Sequence, residues 1–396
     1  MPSFSNLLHL VTLALTLSVA SGDARMDLVK RDSASDREAH AAVARAFSAS
    51  GLEERNIEQG GVYSIPLVRR TGTTFTNNTL LRRGAQSVDV DIDTFAIELG
   101  INGKKYPYNV LTHSDLIIAM NVKDDASAWN PAADLKLKKA TTNGPKVTST
   151  VGGTAAQYKV SDVSIGNSTL HNIGVLYGDP ASANDKGEPV GDLGLGLPGS
   201  TAFRNTAASS MLKTIYEAKA WAKPIFSLAL HRPDAKQSEL ILGAESQGAK
   251  GAKPFWQSSQ KNRWAVNVSF NGHRGIADLA TNTHFIIAPP DVATELIKKV
   301  GLTPEKNKDG ETVGKLDCDK QIGDTKIDLD GGSLLFTSDY GAVRDDPDGN
   351  QCTYIIKGVE QGDYPTPYTF GMIVFYNYNV NFDFTSGKPR VGFVRA

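Results

Sequence analysis

Cysteine is scarce in this chain of 396 residues, which has only Cys318 and Cys352. Neither has a second Cys or a His at zinc-ligand spacing, so no metal site is expected. Charge of one sign is equally lacking. The formal net charge is -1, and no long Lys/Arg block interrupts it, which excludes a nucleic-acid binder of the ordinary electrostatic kind. After the first twenty residues no apolar stretch is long enough to cross a bilayer, and the C-terminal run Arg390 to Ala396 carries no lipid-anchor signal. Gly191 to Gly199 is glycine-rich but lacks the Lys-Ser/Thr that a phosphate loop requires, which excludes nucleotide binding there. No cofactor is implied.

What is present begins at the N-terminus. Leu7 to Ala20 is mostly apolar, too short for a membrane span, and ends in the small residues Ser18-Val19-Ala20. That pattern predicts a secretory signal over residues 1–20, although no Lys or Arg precedes it. Residues 21–83 differ in character from the remainder of the chain. Ser33 to Gly51 places Ala and charged residues at helical spacing, and basic pairs stand at Lys30-Arg31, Arg69-Arg70 and Arg82-Arg83. In a secreted chain these suit processing, so a pro-segment over 21–83 is expected. Sequons at Asn77, Asn167 and Asn267 are candidate glycosylation sites. An even cysteine count in a secreted chain favours a Cys318–Cys352 bridge.

From Gly84 onward short strands and turns dominate, with many of the 37 glycines and 18 prolines as punctuation. Phe95 to Ile101 alternates and breaks at Asn102-Gly103, a hairpin signal. Gln157 to Ile165 reads as a strand ending at Gly166-Asn167. Helices are predicted over Ser209–Ala222 and Val292–Val300. The halves repeat weakly: an apolar strand leaves a Thr-containing turn, then comes a helix, then a Gly-containing apolar strand. The fold class is mainly β, with lobes over residues 84–246 and 247–396.

Two segments carry the functional argument: Leu111-Thr112-His113-Ser114-Asp115-Leu116-Ile117-Ile118 and Ala280-Thr281-Asn282-Thr283-His284-Phe285-Ile286-Ile287-Ala288-Pro289. Each resembles an active-site segment of the pepsin-like aspartic peptidases, where Asp-Thr-Gly-Ser or Asp-Thr-Gly-Thr leads into an apolar strand. Other segments resemble the family in order: Asp162 to Gly166, Val190 to Pro198, Pro224 to Leu230 with Ser238 to Gly243, Phe370-Gly371 through Phe384, and Val391 to Phe393. The resemblance implies a bilobal acid-protease fold with a central cleft, and it fits the two cysteines to the family's second-lobe bridge. It places Leu111 and Ala280 at the acid positions, Thr112 and Thr281 at the cross-linking threonines, and Ser114 and Thr283 at the orienting hydroxyls. His113 and Asn282 replace glycines. Anchoring on Asp115-Leu116 instead would put Val110 at the first acid position, which also lacks a carboxylate.

The family's chemistry needs two carboxylates about 3 Å apart sharing a proton. Leu and Ala cannot supply it. Gly275-Ile276-Ala277-Asp278 also resembles the approach to the second acid, so Asp278 is the fallback acid, reached by a two-residue shift. The hairpin Tyr expected over the cleft is also missing: Val151 precedes Gly152-Gly153 there, and Tyr158 falls on the returning strand. His113 and His284 near the cleft are expected to fill space rather than bind metal, and Ser114 beside His113 points to the opposite face, so no triad forms.

The leading expectation is a secreted, monomeric, catalytically inactive family member that keeps the cleft for a peptide or protein ligand. Two alternatives stay open: an active endopeptidase using a rearranged acid such as Asp278 or Asp115, and a structural or storage glycoprotein.

Overall fold

A computed structural model of the chain describes residues 61–70, 94–113, 117–120, 138–139, 147–148, 154–166, 168–179, 191–198, 211–231, 238–248, 252–281, 283–337, 341–344, 350–360, 366–385 and 387–396. The signal-like residues 1–20 and the sequon Asn77 lie outside these, as do Asn167, Val151 to Gly153, Ser114, Asp115 and Asn282. The described residues form two compact units and are mostly strand. The first unit holds residues 61–70, 94–227 and 238–245; the second holds 228–231 and 246–396.

Unit 1 begins with β1 (Tyr63–Pro66) and β2 (Val68–Arg70). The expected hairpin comes next as β3 (Thr94–Ile101) and β4 (Lys104–Leu111), paired from Ala96↔Asn109 to Ile101↔Lys104. Its turn is Asn102-Gly103, both at positive φ, the geometry that matches the twist of the flanking strands. Phe95, Ile97, Leu99 and Ile101 are buried, as a strand on a core demands. Next come β5 (Ile117–Met120), β6 (Lys138–Lys139) and β7 (Val147–Thr148). The long hairpin β8 (Thr154–Ile165) and β9 (Ser168–Asp179) turns at Gly166, whose φ is +56. β10 (Gly191–Gly194) completes a sheet in the order β2-β3-β4-β10-β5-β9-β8-β6, with β7 on β8. β3 also pairs with β8, so this sheet folds back on itself.

Helix α1 (Met211–Ala218) buries Met211, Leu212 and Ile215 on one face. It ends before the expected Ala222 because Lys219 takes φ +49 and the N–H of Ala220 bonds the carbonyl of Ile215 at 3.1 Å, closing the last turn; Ser209 lies outside the described residues. β11 (Ile225–Ala229) and β12 (Glu239–Leu242) then form a second layer, with β12 between β1 and β11.

Unit 2 repeats the plan. β13 (Phe255–Ser258) precedes the hairpin β14 (Ala265–Phe270) and β15 (His273–Leu279), whose turn is again Asn-Gly, Asn271-Gly272, at positive φ. β16 (Ile286–Ala288) feeds α2 (Pro290–Lys299). This helix starts two residues before the expected Val292, since a proline is preorganised for the first helical position. It ends at Gly301, φ +78, with N–H bonds from Gly301 to Lys298 and from Leu302 to Ile297 that satisfy its last carbonyls. Val292, Ala293, Leu296 and Ile297 face inward.

The remaining elements are β17 (Pro304–Lys306), β18 (Thr312–Asp317), β19 (Thr325–Leu329), β20 (Gly332–Phe336), β21 (Ala342–Arg344), β22 (Gln351–Tyr354), β23 (Ile356–Gly358), β24 (Tyr368–Phe370), α3 (Met372–Asn377), β25 (Tyr378–Asp383) and β26 (Arg390–Arg395). The main sheet runs β20-β19-β14-β15-β24-β16-β23-β18-β22-β21, with β17 on β18. β26 pairs with both β25 and β13. Aromatic rings fill the interior: Phe270 stacks on Tyr368 with centroids 4.6 Å apart, and Trp264 meets Phe382 edge-on at 5.1 Å.

The expected disulfide is present. Cys318 and Cys352 are 34 residues apart and tie the end of β18 to β22, strands already paired at Leu316↔Cys352. Replacing both with serine is expected to lower unfolding free energy by about 3–4 kcal/mol, the loop-entropy value, measured by urea denaturation.

Candidate functional site

The two segments singled out in the sequence occupy the same place in their respective units. In unit 1, β4 runs parallel to β10, with Asn109↔Asp192, Val110↔Leu193 and Leu111↔Gly194. The chain then leaves β4 and re-enters as β5 on the other side of β10, where Ile117 faces Leu193. In unit 2, β15 runs parallel to β24, with Asp278↔Thr369 and Leu279↔Phe370. The N–H of Ala280 continues that ladder to the carbonyl of Phe370 at 2.9 Å. The chain then re-enters as β16 on the other side of β24, where Ile286 faces Phe370.

Gly194 and Gly371 are therefore matched, and so are Leu111 and Ala280. The connecting loops have equal length, from Leu111 to Ile117 and from Ala280 to Ile286. The same correspondence pairs Thr112 with Thr281, His113 with Asn282, Ser114 with Thr283, Asp115 with His284, and Asn109 with Asp278. His113 and His284 thus stand at different loop positions.

Leu111 and Ala280 are buried, 7% and 5% exposed, and neither side chain titrates. Thr112 and Thr281 are buried, Thr283 and His113 are half-buried, and His284 is buried. Tyr158 lies in β8 opposite Val175. Asn267 sits half-buried in β14, and its Nδ2 donates to Asp330 Oδ2 at 2.7 Å.

The unit 2 loop is held through its backbone. The N–H groups of Gly371, Met372 and Ile373 bond the carbonyls of Phe285, Thr283 and His284 at 3.1, 2.7 and 3.1 Å. A Cβ on Gly371 would come within 2.4 Å of the carbonyl oxygens of Thr283 and Phe285, so only glycine fits. Unit 1 differs: the N–H of Leu195, the match of Met372, bonds the carbonyl of Leu111 itself at 2.8 Å. At the far end of the unit 2 loop, Lys357 Nζ lies 3.9 Å from the ring centre of Phe285 and 3.1 Å from Glu311 Oε2.

Asp278 is the only carboxylate of β15, and its place is that of Asn109 rather than Leu111. It is 2% exposed, and its two oxygens meet one guanidinium: Arg263 Nη2 lies 2.6 Å from Oδ2, and Nε donates to Oδ1 at 3.1 Å. Sequence reasoning missed Arg263. The signal was available, because counting back from the Asn271-Gly272 turn brings Arg263 level with the end of β15.

A second group missed from sequence surrounds Glu295 of α2. Its Oε2 lies 2.7 Å from His273 Nε2, its Oε1 accepts from Asn271 Nδ2, and Lys299 Nζ donates to Asn271 Oδ1 at 2.8 Å. These contacts join the turn before β15 to the helix after β16. The bond with His273, then that with Asn271, holds the Glu295 carboxyl below its ordinary value of 4.5.

A family model described as eukaryotic aspartyl protease matches residues 148–396. That span covers well over half of the chain and all of unit 2's loop and strands, and the chain belongs to this family. The match starts downstream of Leu111 to His113. No curated protein matches the chain.

The two ion-paired groups can be tested separately. Asp278→Ala takes from the mostly buried Arg263 the carboxylate that faces it, so stability is expected to fall by about 3 kcal/mol in urea denaturation. Glu295, with its carboxyl held low, stabilises above the ordinary value and loses this as pH falls through the depressed one. The melting temperature of Glu295→Gln should therefore lie below that of the native chain at about pH 6, and the gap should close as pH drops below 4.5.

Proposed function

We propose that this protein is a secreted aspartyl-protease relative that does not hydrolyse peptides and uses the family's substrate-binding surface to hold a peptide or protein ligand. The observation that carries the reading is the matched pair Leu111 and Ala280. Each follows or ends its own approach strand at the place where the neighbouring strand reaches a glycine, Gly194 or Gly371, and each is apolar. The retained threonines, the crossings of equal length and the glycine beside each loop support a preserved frame with its acids replaced.

Peptide hydrolysis in this family requires one carboxylate to activate water and another to protonate the carbonyl. General acid–base groups are each worth on the order of 10²–10⁴ in rate. Asp278 offers no substitute, since its oxygens are engaged by Arg263 and it lies two residues short of Ala280. Secretion, the processing of residues 21–83 and glycosylation at Asn77, Asn167 and Asn267 belong to the same proposal. They rest on the apolar run Leu7 to Ala20, the basic pairs and the sequons.

The test is incubation of the purified protein with a denatured protein substrate between about pH 2 and 6, the range in which a carboxylate dyad works. No cleavage above background is expected, while a library of extended peptides should show saturable binding. Turnover blocked by a statyl-type transition-state mimic would overturn the non-hydrolytic reading. Absence of any saturable peptide or protein binding would remove the ligand-holding part.

A further inference from the structure

Lysine is seldom buried, yet the side chain of Lys357, on β23, is 12% exposed. Its surroundings follow from two strand pairings. β23 runs parallel to β16, with Ile286↔Ile356 and Ile287↔Lys357, so Phe285, which leads into β16, comes within reach of Lys357. On the other side of β23, Gly358 pairs with Thr312 at the start of β18, which brings Glu311 beside Lys357.

The contacts run in one line from a turn to the unit 2 loop. Lys357 Nζ lies 3.1 Å from Glu311 Oε2 and 3.9 Å from the ring centre of Phe285, itself a buried residue. Glu311 Oε2 also accepts from Asn307 Nδ2 at 2.8 Å. Asn307 Oδ1 in turn accepts the N–H groups of Asp309 and Glu311 at 3.0 and 2.9 Å. The turn between β17 and β18 is thus held in shape and presents its carboxylate at a fixed point. A cation over an aromatic face is attracted most strongly where water is excluded, as it largely is here. Phe285 is therefore held twice, by Lys357 at its ring and by the N–H of Gly371 at its carbonyl.

We propose that Lys357 is a positioning residue of the unit 2 loop: anchored by Glu311, it fixes Phe285 and thereby the conformation in which the loop meets its ligand. The proposal rests on the ligand-holding reading of that loop. An ion pair serving stability alone would need only Glu311, whereas this ammonium is shared with the ring at the loop's end. Gly371 determines where the backbone crosses, and Lys357 determines how the crossing is closed.

Lys357→Met keeps the long apolar stem and removes the charge. The amide hydrogens of Gly371, Met372 and Ile373 bond the carbonyls of Phe285, Thr283 and His284, so their exchange reports on the loop without any ligand. In Lys357→Met, exchange over 371–373 should quicken about tenfold, while β14 and β19 exchange as in the native chain. Unchanged exchange at 371–373, or faster exchange throughout unit 2, contradicts the proposal. Affinity for a library of extended peptides should also fall about tenfold, and Lys357→Arg should restore it to within about threefold. A Lys357→Met protein that binds the peptides as tightly as the native chain overturns the positioning role. In a Phe285→Leu background, Lys357→Met should add nothing to either loss; additive losses would mean that the lysine acts elsewhere. If Lys357→Met does not fold, Glu311→Gln, which leaves the lysine without its counter-charge, gives the same exchange readout. A native chain that binds no peptide defeats the ligand-holding reading by itself, and the exchange result still decides whether Lys357 holds the loop.

Discussion

A chain that runs parallel to a strand on one side and then returns antiparallel on the other must cross that strand's end. The crossing leaves almost no room above the backbone. In unit 2 the carbonyls of Thr283 and Phe285 sit where the side chain of residue 371 would begin, and glycine is the only residue that fits. The N–H groups of residues 371–373 take up three loop carbonyls, so the backbone at the closest point of the crossing is hydrogen-bonded. In unit 1 the matching glycine, Gly194, stands beside Leu111, and the N–H of Leu195 bonds the Leu111 carbonyl. In unit 2 this steric requirement, rather than any catalytic group, fixes where Ala280 stands.

Because backbone and glycine hold the loops, the side chains at their starts are free to change without loss of the fold. A carboxylate buried at such a position costs solvation free energy that an apolar side chain does not. Leucine and alanine at 7% and 5% exposure remove that cost. The charged group that remains nearby, Asp278, is neutralised by Arg263 inside the same unit. On the proposed reading, the chain has exchanged a pair of poorly solvated acids for packing and has kept the frame that once aimed them. Fold and chemistry are separable here because they depend on different atoms.

Much of this was legible in the sequence, for local reasons. Asn102-Gly103 announced its hairpin because that dipeptide enters a tight turn so readily, and the structure has the same dipeptide, Asn271-Gly272, at the matching turn of the other half. The helix after Pro289 was visible except for its first turn, which Pro290 opens, and the bridge was visible through the cysteine count of the whole chain. The extra turn expected in α1 was not stopped by any obvious breaker; Lys219 adopts a left-handed conformation that its type does not advertise. The Arg263–Asp278 pair and the Glu295 group were invisible to motif reasoning, because each joins residues from different elements.

Arg69-Arg70 reads as a cutting site when only neighbours are considered, and its pairing with Phe95 and Thr94 is a fact of tertiary structure. The consequence extends to folding order. β2 can pair with β3 early, but β1 must wait for β12, since Tyr63 pairs with Leu242 near the far end of the unit. Closing so long a loop costs entropy before any contact offsets it, so that layer of unit 1 is expected to form late. Leu67 lies at the junction between the early and late pairings, and its burial couples them. Residues 61–70 therefore take part in both pairings of the unit that carries the first loop.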